Sequence, residues 1–218
     1  MQDDHRLARA QVLYEQAVFG GDAGALPIAE RDLDAVEADL ALARGRVLHA
    51  RFLAERGTED RHELALFERA AELYRRLADV RGEGEALFWI GTFHQVVHGD
   101  SELARPFFDQ SYARAAQAGD KLTLSYAARH IGFALSDAGQ GDAAREKLEE
   151  SVRLRREIGF APGVAAGLLA LAELAHRDGR RDEARALLEE ADAVAVASSA
   201  HGIRRWITEA RAALDPPP

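Results

Sequence analysis

Two histidines one helical turn apart, His94-Gln-Val-Val-His98, have the spacing by which a helix can offer two ligands to one metal ion. Hydrolytic chemistry at such a pair needs a third ligand and a carboxylate beside the first histidine. Gln95 stands where that carboxylate would be, and no third ligand lies at usable spacing. His98 also abuts Gly99, where the end of a helix favours a cation in any case. The expectation is no metal site and no cofactor. Gly82-Glu-Gly-Glu and Gly20-Gly-Asp-Ala-Gly could pass for phosphate-cradling loops, but neither follows a strand or carries a neighbouring Lys-Ser/Thr, so both read as helix-to-helix turns. There is no Gly-x-Ser-x-Gly elbow, and the absence of cysteine removes thiolate nucleophiles, thiolate metal sites and disulfides together. No catalytic residue is expected, and the reading leans away from an enzyme.

The elements that position these groups follow from composition and pattern. Ala makes up about one residue in five of the 218, and Leu, Arg and Glu fill much of the rest, all strong helix formers. The formal charge of −9 repels phosphate backbones, so nucleic acid is not an expected partner. No stretch approaches the roughly 20 apolar residues of a membrane span, and the chain is expected to be soluble and cytoplasmic, without a membrane partner. Only Lys121 and Lys147 are lysines; the arginines, including the run Arg153-Leu-Arg-Arg156 and the pair Arg204-Arg205 beside Trp206, read as solvated helix faces. Pro162 suits the first turn of a helix, Pro106 falls about a turn into one, and the tail at 215–218 reads as disordered.

Self-similarity decides the architecture. Segments beginning Gly99-Asp-Ser-Glu-Leu-Ala-Arg, Gly139-Gln-Gly-Asp-Ala-Ala-Arg and Gly179-Arg-Arg-Asp-Glu-Ala-Arg align without gaps. Ala104, Ala144 and Ala184 coincide, as do Phe108, Leu148 and Leu188, and Ser111, Ser151 and Ala191 are all small. Each glycine can end one helix in a left-handed cap, and the small residues let helices cross closely. Upstream of each glycine lies a second amphipathic helix, in which Ile90-Gly91, Ile131-Gly132 and Leu171-Ala172 correspond. Further pairs are read at 4–19 with 24–40 and at 41–56 with 61–79 around Gly57, and residues from Gly202 form a closing helix. The expected fold is all-α: a right-handed α-solenoid, or superhelix, of about five antiparallel helix pairs with a C-terminal capping helix, forming a single domain over 1–214.

On these residues the chain resembles the tetratricopeptide-repeat family, whose first helix carries a Leu-Gly pair and whose second carries the small and apolar positions above. The period of about 40 and the turns Gly119-Asp120 and Ile158-Gly159-Phe160 are similar to the longer repeat arrays of bacterial regulators. The resemblance implies that the first helix of each pair lines a concave groove. Its stripe would then comprise Arg51, Glu55, Glu85, Phe88, Thr92, Gln95, Tyr126, Arg129, Phe133, Asp137, Glu173, His176 and Arg177, extended by Tyr14. Aromatics alternate there with both signs of charge, whereas the basic and asparagine clamp of chaperone-binding relatives is not met: Phe88, Phe133, Leu169 and Glu173 stand in its places. The implied function is a non-enzymatic module that binds a peptide or protein partner in its groove, within a regulatory assembly. The alternative is a small-molecule sensor or an unusual enzyme with its site inside the groove, and groove shape separates the two: an open trough suits peptide, a closed apolar pocket a small molecule.

Overall fold

The computed structural model describes residues 4–55 and 59–214, so the turn at Gly57 and the tail at 215–218 lie outside the described residues. The fold class is all-α: there is no strand among the described residues, and helix pairs recur as in an α-solenoid. The helices are α1 (His5–Gly20), α2 (Ala25–Glu55), α3 (Glu63–Leu77), α4 (Val80–Thr92), α5 (Ser101–Ala118), α6 (Lys121–Asp137), α7 (Gly141–Glu157), α8 (Ala161–Arg177), α9 (Arg181–Ala197) and α10 (His201–Leu214). They fall into two compact units, one ending at Ala118 and one beginning at Gly119.

In the first unit each helix packs on the next, from α1 through α5. The helix expected to break near residue 40 does not: α2 runs unbroken from Ala25 to Glu55, because Asp39-Leu-Ala-Leu-Ala-Arg holds no helix breaker. Gly45, which follows, is buried, and a Cβ there would press on the Phe67 ring. The core gathers Ala38, Leu42, Phe67, Leu73 and Ile90, with Trp89 and Phe107 packed against it. Between α4 and α5 the chain continues as a π-helical turn, Phe93–Val97. Its origin is one extra residue: Gly91 and Gly99 are eight apart, whereas Gly132 and Gly139, and Ala172 and Gly179, are seven apart. A π turn absorbs a single insertion without breaking the helix.

In the second unit α6, α7, α8, α9 and α10 pack in sequence, and α10 also reaches back to α8. Three-residue turns join them, short enough to force antiparallel neighbours. From Gly163 to Ala172 every residue of α8 is buried, which makes it the central helix, apolar all round. Leu148, Val152, Leu188, Ile207 and Leu214 close around it. Pro162 occupies the first turn of α8 as its fixed φ allows, and Pro106 is carried inside α5.

Left-handed caps end the helices at a twenty-residue beat: Gly99, Gly119, Gly139, Gly159 and Gly179 all have φ between +67° and +77°. Ser199 takes the next beat at φ 56°, and Ala78 ends α3 at φ 59°. A Cβ in this conformation crowds the following carbonyl. Ala78→Gly and Ser199→Gly are each expected to add about 0.5–1 kcal/mol, raising the thermal midpoint by roughly 1–4 °C. A lowered midpoint in either variant would contradict the strain assigned to these caps.

Candidate functional site: an arginine pair and a cavity in the second unit

The candidates on α6 and α8 meet around two arginines. The Arg129 guanidinium lies 4.6 Å from the centre of the Phe133 ring. It makes no hydrogen bond or ion pair among the described residues, and its Nε is buried without a partner. Behind it, Arg155 of α7 is 2% exposed, with its guanidinium 5.1 Å from the centre of the Tyr126 ring. Arg155 Nη1 donates to the Gly163 carbonyl at 2.8 Å, and its Nε donates to Ser125 Oγ at 3.3 Å. Ser125 is itself held, its carbonyl accepting from Ser151 Oγ at 2.6 Å. Tyr126 meets Phe160 edge to face, with centroids 6.2 Å apart.

Neither guanidinium touches a carboxylate among the described residues. Burial pushes Arg129 down to about 10, partly offset by the nearby charges of Glu173 and Tyr126. Burial, and then the repulsion of Arg129, pushes Arg155 down to about 9. Both values lie well above neutral, so at pH 7 two cations sit together with no carboxylate hydrogen-bonded to either among the described residues. Such a pair is complementary to an anion, and Arg129 is the member with unused donors.

Sequence reasoning missed Arg155, which it placed with Arg153 and Arg156 on a solvated face. Those two are indeed exposed and paired, Arg153 with Glu157 and Arg156 with Glu190. Arg155 instead follows Leu148 and Val152 at helical spacing and so falls on the core face. Gly163 leaves it space together with the Phe160 ring: a Cβ there would press on that ring and lie 3.0 Å from Arg155 Cδ, while a Cβ on Gly167 would press on Val152. The spacing from Leu148 and Val152 was the available signal.

Farther along α8, Glu173, His176 and Arg177 border a cavity of about 380 Å³. Its floor is apolar, from Ala172, Ala184, Leu188 and Leu214, all buried, and α10 supplies Ala210 and Ala213. His176 Nδ1 is buried without a partner. Burial raises the Glu173 carboxyl, opposed by the charges of Arg129 and Arg177. Asp137 holds Arg177, accepting from its Nη1 at 3.1 Å.

The candidates of the first unit do not gather in this way. Phe88 and Thr92 are buried, Phe88 against Trp89 and Phe108, and Thr92 donating to the Phe88 carbonyl at 2.9 Å. Glu85 pairs with Arg46 at 3.2 Å, and Gln95 lies in the π turn. Arg51 and Glu55 are exposed at the end of α2, bordering a cleft with Phe52 and His62, and Tyr14 is exposed on α1. His94 stacks on Phe107 with its Nδ1 buried and unpartnered, while His98 Nε2 lies 3.3 Å from Glu59.

The geometry of α6 to α9 agrees with a comparison of sequence. Residues 123–195 match the tetratricopeptide-repeat family. The match spans about a third of the chain, and repeats of this type generally mediate contact between proteins. A crystal structure of nearly identical TPR-like repeats, described as kinesin light chain from Podosopora anserina, is 16% identical, with a TM-score of 0.42 over 91% of this chain and 99% of that one. No curated protein matches the sequence. No described helix is long and apolar enough to cross a membrane.

Proposed function

We propose that this chain is a non-enzymatic interaction module that holds a peptide segment of a partner protein against α6 and α8 of its second unit, as part of a regulatory assembly. The observation that supports this is Arg129: a cation whose buried Nε has no partner, flanked by Phe133, with a second cation behind it. A segment with an acidic side chain next to an apolar one satisfies both features, the carboxylate on the guanidinium and the apolar group on the ring.

The test is selection from a displayed library of random peptides against the whole chain, followed by affinity and melting measurements on variants. Enriched peptides should carry Asp or Glu. Arg129→Ala should weaken them ten- to a hundredfold, equivalent to about 1.5–3 kcal/mol for a charge-assisted contact. It should move the melting temperature little, because Arg129 makes no hydrogen bond among the described residues whose loss would leave a buried group unpaired. Arg153→Ala, on the exposed side of α7, should change neither. Equal loss of binding in the two variants would place the partner elsewhere, and enrichment without acidic residues would remove the role given to Arg129.

A further inference from the structure

The cavity between α8, α9 and α10 calls for a different ligand from the peptide above, and the charges on its rim say which. Its volume of about 380 Å³ is at the lower end of small-molecule sites. The floor of alanine and leucine side chains offers an apolar body nothing but dispersion and burial. At the rim two polar groups lack hydrogen-bond partners. The Glu173 carboxylate makes no hydrogen bond among the described residues and meets the charges of Arg129 and Arg177 only through space, and His176 Nδ1 is buried and unsatisfied. The third polar residue of the rim, Arg177, is already engaged by Asp137.

A neutral apolar ligand would leave His176 Nδ1 unpaired, and a carboxylate or phosphate would face Glu173. An ammonium group has the opposite charge and several N–H donors, so it can serve Glu173 and an accepting Nδ1 at once. We propose that this cavity is a binding site for a small organic amine, its ammonium on Glu173 and His176 and its apolar body on Ala184, Leu188 and Leu214. This goes beyond peptide recognition at Arg129, which acts on Glu173 only through its charge. The occupant is a free small molecule because the space is bounded by three helices and holds a body of about ten heavy atoms.

The experiment is a titration of the whole chain with three probes of matched shape, 2-phenylethylamine, 2-phenylethanol and 3-phenylpropionate, followed by NMR at the His176 ring. The amine should bind saturably, with a dissociation constant on the order of a millimolar or below for so small a ligand. It should bind at least tenfold tighter than the alcohol, and the carboxylate should not saturate. Glu173→Gln keeps the shape of the side chain and should bring amine and alcohol to within about twofold of each other. Ala213→Trp, on the exposed side of α10, should fill the cavity and abolish binding of all three without lowering the melting temperature. The proposal is overturned if the amine does not saturate, if alcohol or carboxylate binds as well, or if Glu173→Gln leaves the amine preference intact. Arg129→Ala should leave amine binding within about threefold of the parent chain, so failure of the peptide reading and failure of this one are read separately.

Discussion

Replacing His49 by alanine is expected to remove about 1–3 kcal/mol from the stability of the first unit, the cost of leaving the buried hydrogen-bonding partner of a deleted side chain unsatisfied. His49 on α2 and Glu63 at the first turn of α3 are 4% and 0% exposed, with Nδ1 2.8 Å from Oε1. The other carboxylate oxygen, Oε2, is buried with no partner, so among the described residues the imidazole is the side chain that offsets removal of this carboxylate from water. The imidazole is fixed in turn, edge-on to Trp89 with centroids 5.4 Å apart. His49→Ala deletes that contact and leaves a cavity under an indole.

The chain has two tryptophans, Trp89 in the first unit and Trp206 in the second, so urea unfolding followed by fluorescence in a Trp206→Phe background reports on the first unit. The midpoint should fall by roughly 1 M. His49→Leu combined with Glu63→Leu should recover most of the loss, because an apolar pair of similar size leaves no buried polar group unpaired. A loss below about 1 kcal/mol in His49→Ala, or no recovery in the double variant, would show that the pair does not join α2 to α3 as argued.

The parts of the fold that were legible in the sequence are those set by local rules. Gly139, Gly159 and Gly179 mark the ends of α6, α7 and α8 because a left-handed cap is cheap only for glycine, and a cap of that kind can be seen in a string of letters. The long α2 was not legible from the repeat, because periodicity proposed a boundary that no breaker enforced. The π turn was written in the one extra residue between Gly91 and Gly99, but counting does not say whether an insertion is taken up in the helix or in the turn after it.

The stripe of candidates divides on physical grounds. Spacing says which residues share a helix face, not how deep that face lies. Phe88 and Phe133 are both aromatic members of the stripe, yet the first is 4% exposed among Trp89 and Phe108, while the second stays partly open beneath Arg129. That difference comes from neighbouring helices distant in sequence. Arg155 makes the same point in reverse: a charged letter reads as surface, yet it lies inside, with Gly163 of the next helix accepting its guanidinium at the carbonyl and lacking a side chain where its stem passes.

The largest core effect is expected at Phe108. Its ring is fully buried, 6.0 Å from Phe88, and covers Gly91 so closely that a Cβ there would lie 2.7 Å from a ring carbon. The second unit solves the same crossing with smaller side chains: Leu148 over Gly132, and Leu188 at the register of Ala172. Phe108→Ala should cost about 3–5 kcal/mol, as for buried aromatic residues in general. Gly91→Ala alone should cost about 1–3 kcal/mol, because a flat ring packed on both sides cannot yield as a leucine tip can. Phe108→Leu should cost roughly 1–2 kcal/mol. If the repeats trade ring size against the residue beneath it, Phe108→Leu makes room for the methyl group that Gly91→Ala adds. The double variant should then be at least about 1 kcal/mol more stable than the sum of the singles predicts. Urea titrations of Gly91→Ala, Phe108→Leu, their combination and the parent chain close this cycle. Additivity to within about 0.3 kcal/mol would mean that the correspondence of Gly91 with Ala172 and of Phe108 with Leu188 is a likeness of letters and not of packing.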